Sequence, residues 1–82
     1  MGKLDNQNVV IIGGTAGIGL ATAILAQEAG ANVWAASRSE DKVAACAKEH
    51  PGIQFSSLDT HDTDALSALF EKVGTINHIV GA

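Results

Sequence analysis

The stretch that most restricts what this chain can fold into is Val9 to Gly19, VVIIGGTAGIG. Four β-branched residues, Val9, Val10, Ile11 and Ile12, read as a buried strand. The run stops at Gly13-Gly14 and resumes, after Thr15-Ala16-Gly17, as a helix that carries Gly19 in its first turn. A turn this tight needs backbone angles with φ above zero and no Cβ in the way. It also aims several unpaired helix N–H groups, and the positive end of the helix dipole, at one point. Such a point suits a phosphate.

The glycine spacing narrows the choice of phosphate binder. Gly13, Gly17 and Gly19 form GxxxGxG, whereas the GxGxxG of many dehydrogenases needs glycine where Thr15 and Ile18 stand. A nucleoside-triphosphate loop starting at Gly14 would have its second glycine at Gly19, but Leu20 occupies the place of the lysine that reaches the terminal phosphates. With Ile18 between its last two glycines, the pattern resembles the cofactor loop of the short-chain dehydrogenase/reductase family; Ile12 stands where that family usually has Thr. The resemblance implies that Gly13, Gly14, Thr15, Ala16, Gly17, Ile18 and Gly19 receive the pyrophosphate of a nicotinamide dinucleotide.

At 82 residues the chain is at most one domain, and so short a chain buries only about 60–65% of its unfolded surface. A 46% apolar composition with 17% charged residues fits a folded core, and a net charge of −4 without a basic cluster argues against nucleic-acid binding. The single Cys46 has no internal partner, so a reducing, cytoplasmic setting is the default. Val9 to Ala26 runs 18 residues without a charge and contains a GxxxG pair, which invites a membrane reading. Four glycines, a strand-like start and a flank in which Lys3 and Asp5 cancel argue against both a membrane helix and a signal peptide. Asn6 replaces the hydroxyl that myristoylation of Gly2 would need.

Along the chain, Ile18 to Ala29 reads as a helix whose Gly19, Ala23 and Ala26 form a strip of small side chains able to lie close to a sheet. Gly19 serves that packing, phosphate approach, or both. Gly30 ends the helix, and Asn32 to Ala36 follows as a second strand. Its tip, Ser37-Arg38-Ser39, comes about 20 residues after the loop, where this architecture places the adenosine ribose. An acidic residue there would accept from the ribose 2′-OH, but Ser37 and the planar donor fork of Arg38 suit a 2′-phosphate and favour NADP over NAD. In the family, an Arg in this place is the usual mark of NADP(H) use. The bland alternative is a solvated Arg38, with Ser39 capping the next helix and Glu40 and Asp41 complementing its dipole.

Glu40 to Glu49 reads as a second helix with Val43, Ala44 and Ala47 facing inward, stopped by His50-Pro51-Gly52. Ile53 to Leu58 is a third strand, ending at Asp59-Thr60. The resemblance implies that Asp59, with the backbone N–H of Thr60, brackets the adenine ring; the alternative is that Asp59 or Asp62 only caps a third helix with the apolar face Leu66, Leu69, Phe70 and Val73. Gly74 closes that helix, and Ile76 to Val80 is a fourth strand that runs out at Gly81-Ala82, where the family usually has two Asn. His50, His61, His78 and Cys46 show no metal-ligand spacing.

Four strands alternating with three helices imply a parallel sheet in the order 3-2-1-4 with helices on both faces, the N-terminal part of a Rossmann-type doubly wound α/β fold. Residues 1–82 are therefore expected to be a partial NAD(P)-binding domain, the cofactor-binding half. The Tyr, Lys and Ser that carry the family's chemistry would lie beyond this length, and the chain contains no Tyr. The function implied is NADP(H)-dependent hydride transfer to and from an alcohol/carbonyl pair, with substrate engaged only in a longer parent; the alternative is a non-catalytic NADP-binding or interaction module. An uncharged, apolar fourth strand left at the sheet edge would invite self-association.

Overall fold

The computed structural model describes residues 2–13 and 15–81; Gly14, and with it one residue of the expected cofactor loop, lies outside them, as do Met1 and Ala82. The elements run β1 (Asn8–Ile12), α1 (Gly17–Glu28), β2 (Asn32–Ser37), α2 (Glu40–Glu49), β3 (Gln54–Ser57), α3 (Thr63–Val73) and β4 (His78–Gly81). The four strands are parallel and lie in the order β3-β2-β1-β4, as the sequence predicts.

β1 is the centre of the sheet, paired to β2 from Asn8↔Asn32 to Ile12↔Ala36 and to β4 from Val9↔His78 to Ile12↔Gly81. Successive side chains on a strand point to opposite faces, and both faces of β1 are covered. Val9 and Ile11 join Val33, Ala35 and Ile53 against Ala23 and Ala26 of α1; Val10 joins Ala36 against Leu69 and Val73 of α3. That double burial is why the strand reads as an unbroken apolar run rather than an alternating one. The β1-α1-β2 and β2-α2-β3 crossovers step the same way across the sheet, so the right-handed rule sets α1 and α2 on one face, while the return step to β4 sets α3 on the other.

Small residues decide how near α1 can come. Gly19, Ala23 and Ala26 are its buried positions, as expected from their spacing, and Gly30, at φ 94°, turns the chain directly into β2. On α3, Leu69 and Val73 are buried and Leu66 and Phe70 half-buried, again the predicted face.

α2 departs from expectation. Of Val43, Ala44 and Ala47, only Val43 is half-buried; Ala44 and Ala47 are exposed, and Cys46 is the buried residue. The helix is rotated so that the Cys46 thiol donates to the carbonyl oxygen of Thr15 at 3.4 Å, a contact that two alanine methyls cannot make.

The amino ends of the strands are joined by amides. The Asn8 N–H donates to Asn77 Oδ1 at 2.8 Å, its side-chain Nδ2 donates to the Thr75 carbonyl at 2.7 Å, and its Oδ1 accepts from Asn32 Nδ2 at 3.1 Å. Asn77 N–H returns a bond to the Asn8 carbonyl, and His78 Nε2 lies 2.6 Å from Gln7 Oε1. Among the described residues no helix is long and apolar enough to cross a membrane.

Candidate functional site

The carboxyl ends of β1, β2 and β3 bring the expected site residues to one edge of the sheet. After Ile12 the ladder runs one bond further, Gly13 N–H donating to the Ala36 carbonyl at 2.7 Å, and Gly13 then turns away at φ 87°. Ala16 is the N-cap of α1 in extended conformation, and its methyl caps nothing. Gly17 sits at φ 56°, with only open space where a Cβ would project. The first turn of α1 contains no acidic residue, and Ile18 is 80% exposed beside it.

The other two helices start differently. Ser39 Oγ accepts from Lys42 N–H at the head of α2, with Glu40 and Asp41 in its first turn. Asp62 Oδ1 accepts from Asp64 and Ala65 N–H at the head of α3. Among the described residues only α1 keeps its leading N–H groups free of a side-chain cap and of a carboxylate in its first turn. An acceptor-rich anion at that end meets donors and a favourable dipole, so the residues fit a dinucleotide pyrophosphate.

Thr15 ties this loop to the tip of β2. It is buried, and its Oγ1–H donates to Ser37 Oγ at 2.9 Å. Ser37 Oγ also accepts from Ser39 N–H at 3.5 Å, and the Ser37 carbonyl accepts from Leu58 N–H at 2.9 Å, joining β2 to the end of β3. Arg38 is exposed at that tip, with no carboxylate within ion-pair distance among the described residues. Ser39 makes the cap expected of it, so the bland reading of Ser39 holds alongside any role for Arg38.

Asp59 and Thr60 lie one strand further out, past the Leu58–Ser37 bond that joins the end of β3 to the β2 tip. Asp62, not Asp59, caps α3; Asp59 Oδ1 instead accepts from His61 N–H at 2.9 Å, and its carbonyl accepts from Asp62 N–H. The Asp59 carboxylate is thus exposed with one oxygen unengaged by that turn. Among the described residues no group of three His, Cys, Asp or Glu could hold a metal ion.

Cys46 is the member of this neighbourhood that sequence reasoning does not find. Its one signal is spacing, since Val43, Cys46 and His50 recur at i, i+3 and i+7 and all are at least partly buried.

Parallel strands in this order, with a glycine turn from the central strand into an uncapped helix, define a Rossmann-type dinucleotide-binding α/β architecture. The family model for short chain dehydrogenases matches residues 7–81, and the chain belongs to that family of oxidoreductases, which use nicotinamide dinucleotides. It is 39% identical over 77 residues to a 3beta-hydroxysteroid dehydrogenase of Mediterraneibacter gnavus, covering 89% of this chain and 28% of that protein. It is 30% identical over 77 residues to the L-xylulose reductase of Mesocricetus auratus, covering 94% of this chain and 32% of the relative. Among solved structures, BdcA from E. coli superposes with a TM-score of 0.83 at 31% identity, over 96% of this chain and 42% of that one. The chain spans about a third of the length of the curated relatives it matches.

Proposed function

We propose that residues 1–82 are the NADP(H)-binding part of a short-chain oxidoreductase acting on an alcohol/carbonyl pair. The observation that carries this is the contrast between helix starts. Among the described residues α1 alone offers N–H groups without a side-chain cap, behind left-handed Gly13 and Gly17, and Arg38 stands exposed on the neighbouring strand tip. In this reading Gly13 to Gly19 hold the pyrophosphate, Ser37 and Arg38 with the adjoining Ser39 the 2′-phosphate, and Asp59 with Thr60 the adenine. When bound, the dinucleotide supplies or accepts the hydride. This chain's residues bind and orient it, and none of residues 1–82 is assigned the family's acid/base Tyr, its Lys or the substrate-orienting Ser.

The two relatives' names, a steroid dehydrogenase and a sugar reductase, support hydride chemistry on alcohol/carbonyl pairs. Cys46, a buried free thiol, fits the reducing cytoplasm, where we place the chain. β4 presents exposed Ile79 at the sheet edge and residues 75–82 carry no Asp, Glu, Lys or Arg, so edge pairing is the expected route of self-association of this chain. Sedimentation coefficients that rise with concentration, and cease to do so in Ile79→Lys, would support that route; concentration-independent values would remove it.

The test of the main reading is calorimetric titration with NADP⁺ and NAD⁺ at one ionic strength, on the wild-type chain and on Arg38→Ala. Saturable binding that favours NADP⁺, with a preference that drops by about 1–3 kcal/mol in the variant, is the expected result. Equal affinities in the wild type, or a preference unmoved by the substitution, would remove Arg38 from its assigned role.

A further inference from the structure

We propose that Thr15 sets the cofactor preference from beneath the site, by fixing the Ser37 hydroxyl as a hydrogen-bond donor; this rests on the dinucleotide reading above. Thr15 is 8% exposed, the buried polar residue among those described. A hydroxyl proton shut away from water needs an acceptor, and the one in reach is Ser37 Oγ, 2.9 Å away. The opposite polarity would strand the Thr15 proton in the core, so Thr15 donates and Ser37 accepts.

Ser37 Oγ also accepts from Ser39 N–H at 3.5 Å. A serine oxygen has two lone pairs and one proton. With both lone pairs engaged, Ser37 has only its proton left to offer at the strand tip. Thr15 is held in this role from its other side, because its carbonyl accepts from the buried Cys46 thiol at 3.4 Å.

A donor without a free acceptor discriminates. The 2′-phosphate of NADP presents acceptor oxygens that take the Ser37 proton. The 2′-OH of NAD can take that proton too, but with one neutral oxygen in place of three charged ones, and Ser37 does not offer the hydroxyl's own proton the carboxylate acceptor it is given elsewhere. Ser37 therefore selects by hydrogen-bond polarity while Arg38 selects by charge, and the Thr15 hydroxyl, engaged by Ser37, is a positioning group that acts through Ser37, whatever the loop backbone at Thr15 contributes to the pyrophosphate.

Thr15→Val replaces the hydroxyl with a methyl of similar volume and frees one Ser37 lone pair. The expected result in titrations with NADP⁺ and NAD⁺ is a fivefold to tenfold fall, roughly, in the ratio of the two affinities, with Thr15→Ser restoring the wild-type ratio. Adding Thr15→Val to Ser37→Ala should lower the ratio no further than Ser37→Ala alone. Thr15→Ala serves the same purpose if the valine variant does not fold. A variant that weakens both cofactors equally, or a double variant whose effects add, makes Thr15 merely structural and overturns the proposal. A wild-type chain that prefers NADP⁺ by a ratio unmoved in Thr15→Val overturns it while leaving the dinucleotide reading intact. A folded wild-type chain that binds neither dinucleotide, or prefers NAD⁺, overturns both.

Discussion

At the amino ends of the strands, Asn8, Asn32 and Asn77 close on one another through side-chain and main-chain bonds. At the carboxyl ends, the same central strand runs into a turn whose following helix has no side-chain cap. One end satisfies its polar groups within the protein; the other leaves donors for something outside it. In the proposed reading, stability and ligand capacity are thus divided between opposite edges of one small sheet, where a natural cap on α1 would raise the first and remove the second.

Glycine substitutions at the two ends break the comparison most sharply. Gly74, which ends α3 near the amino edge, and Gly17, which begins α1 at the carboxyl edge, both have positive φ and open space where a Cβ would go. Gly74→Ala, at φ 82° and ψ −122°, should lower unfolding free energy by about 1–3 kcal/mol with dinucleotide affinity unchanged. Gly17→Ala should cost about 1–2 kcal/mol and also weaken dinucleotide binding at least tenfold, since a residue that resists positive φ would re-aim the first turn of α1 and its N–H groups. Urea denaturation and titration on the same samples read both quantities, and equal affinity losses would erase the distinction between the ends.

Asn8→Ala should follow, at about 1–2 kcal/mol, because its side chain donates to Thr75 and accepts from Asn32. Cofactor affinity of the folded variant should match wild type. The smallest shift, and the only gain, is expected from Ala16→Asp. A carboxylate at an extended N-cap should add about 1 kcal/mol of stability through the cap bond and the dipole while repelling the pyrophosphate. A more stable variant that still binds NADP⁺ normally would dissociate the uncapped helix from ligand binding.

Much of this arrangement is legible in the sequence because it is local. Gly13, Gly17 and Gly30 stand where strand and helix patterns break, and each adopts positive φ. The i, i+4, i+7 strip of Gly19, Ala23 and Ala26 faces the sheet because those are the positions small enough to do so. The α2 face is not legible, since in VAACA the apolar periodicity is degenerate and any of several rotations buries an alanine. The rotation observed turns Cys46 inward, its thiol meeting a carbonyl 31 positions away, a contact that local periodicity does not carry. The Thr15–Ser37 bond, across 22 positions, and the Asn8–Asn77 bond, across 69, escape for the same reason. Strand edges shift too: β3 and β4 begin one and two residues later than their apolar runs, because Ile53 and Ile76 pack inward before ladder pairing starts.

The amide ladder also has a kinetic meaning. Asn8 meets Asn32 across 24 residues but Asn77 across 69, so closing the β1–β4 pair costs about 0.9 kcal/mol more in loop entropy than closing β1–β2. The β1-α1-β2 unit should therefore form in the folding transition state, with β4 docking afterwards. In stopped-flow experiments, Asn77→Ala should speed unfolding while leaving the refolding limb almost unmoved.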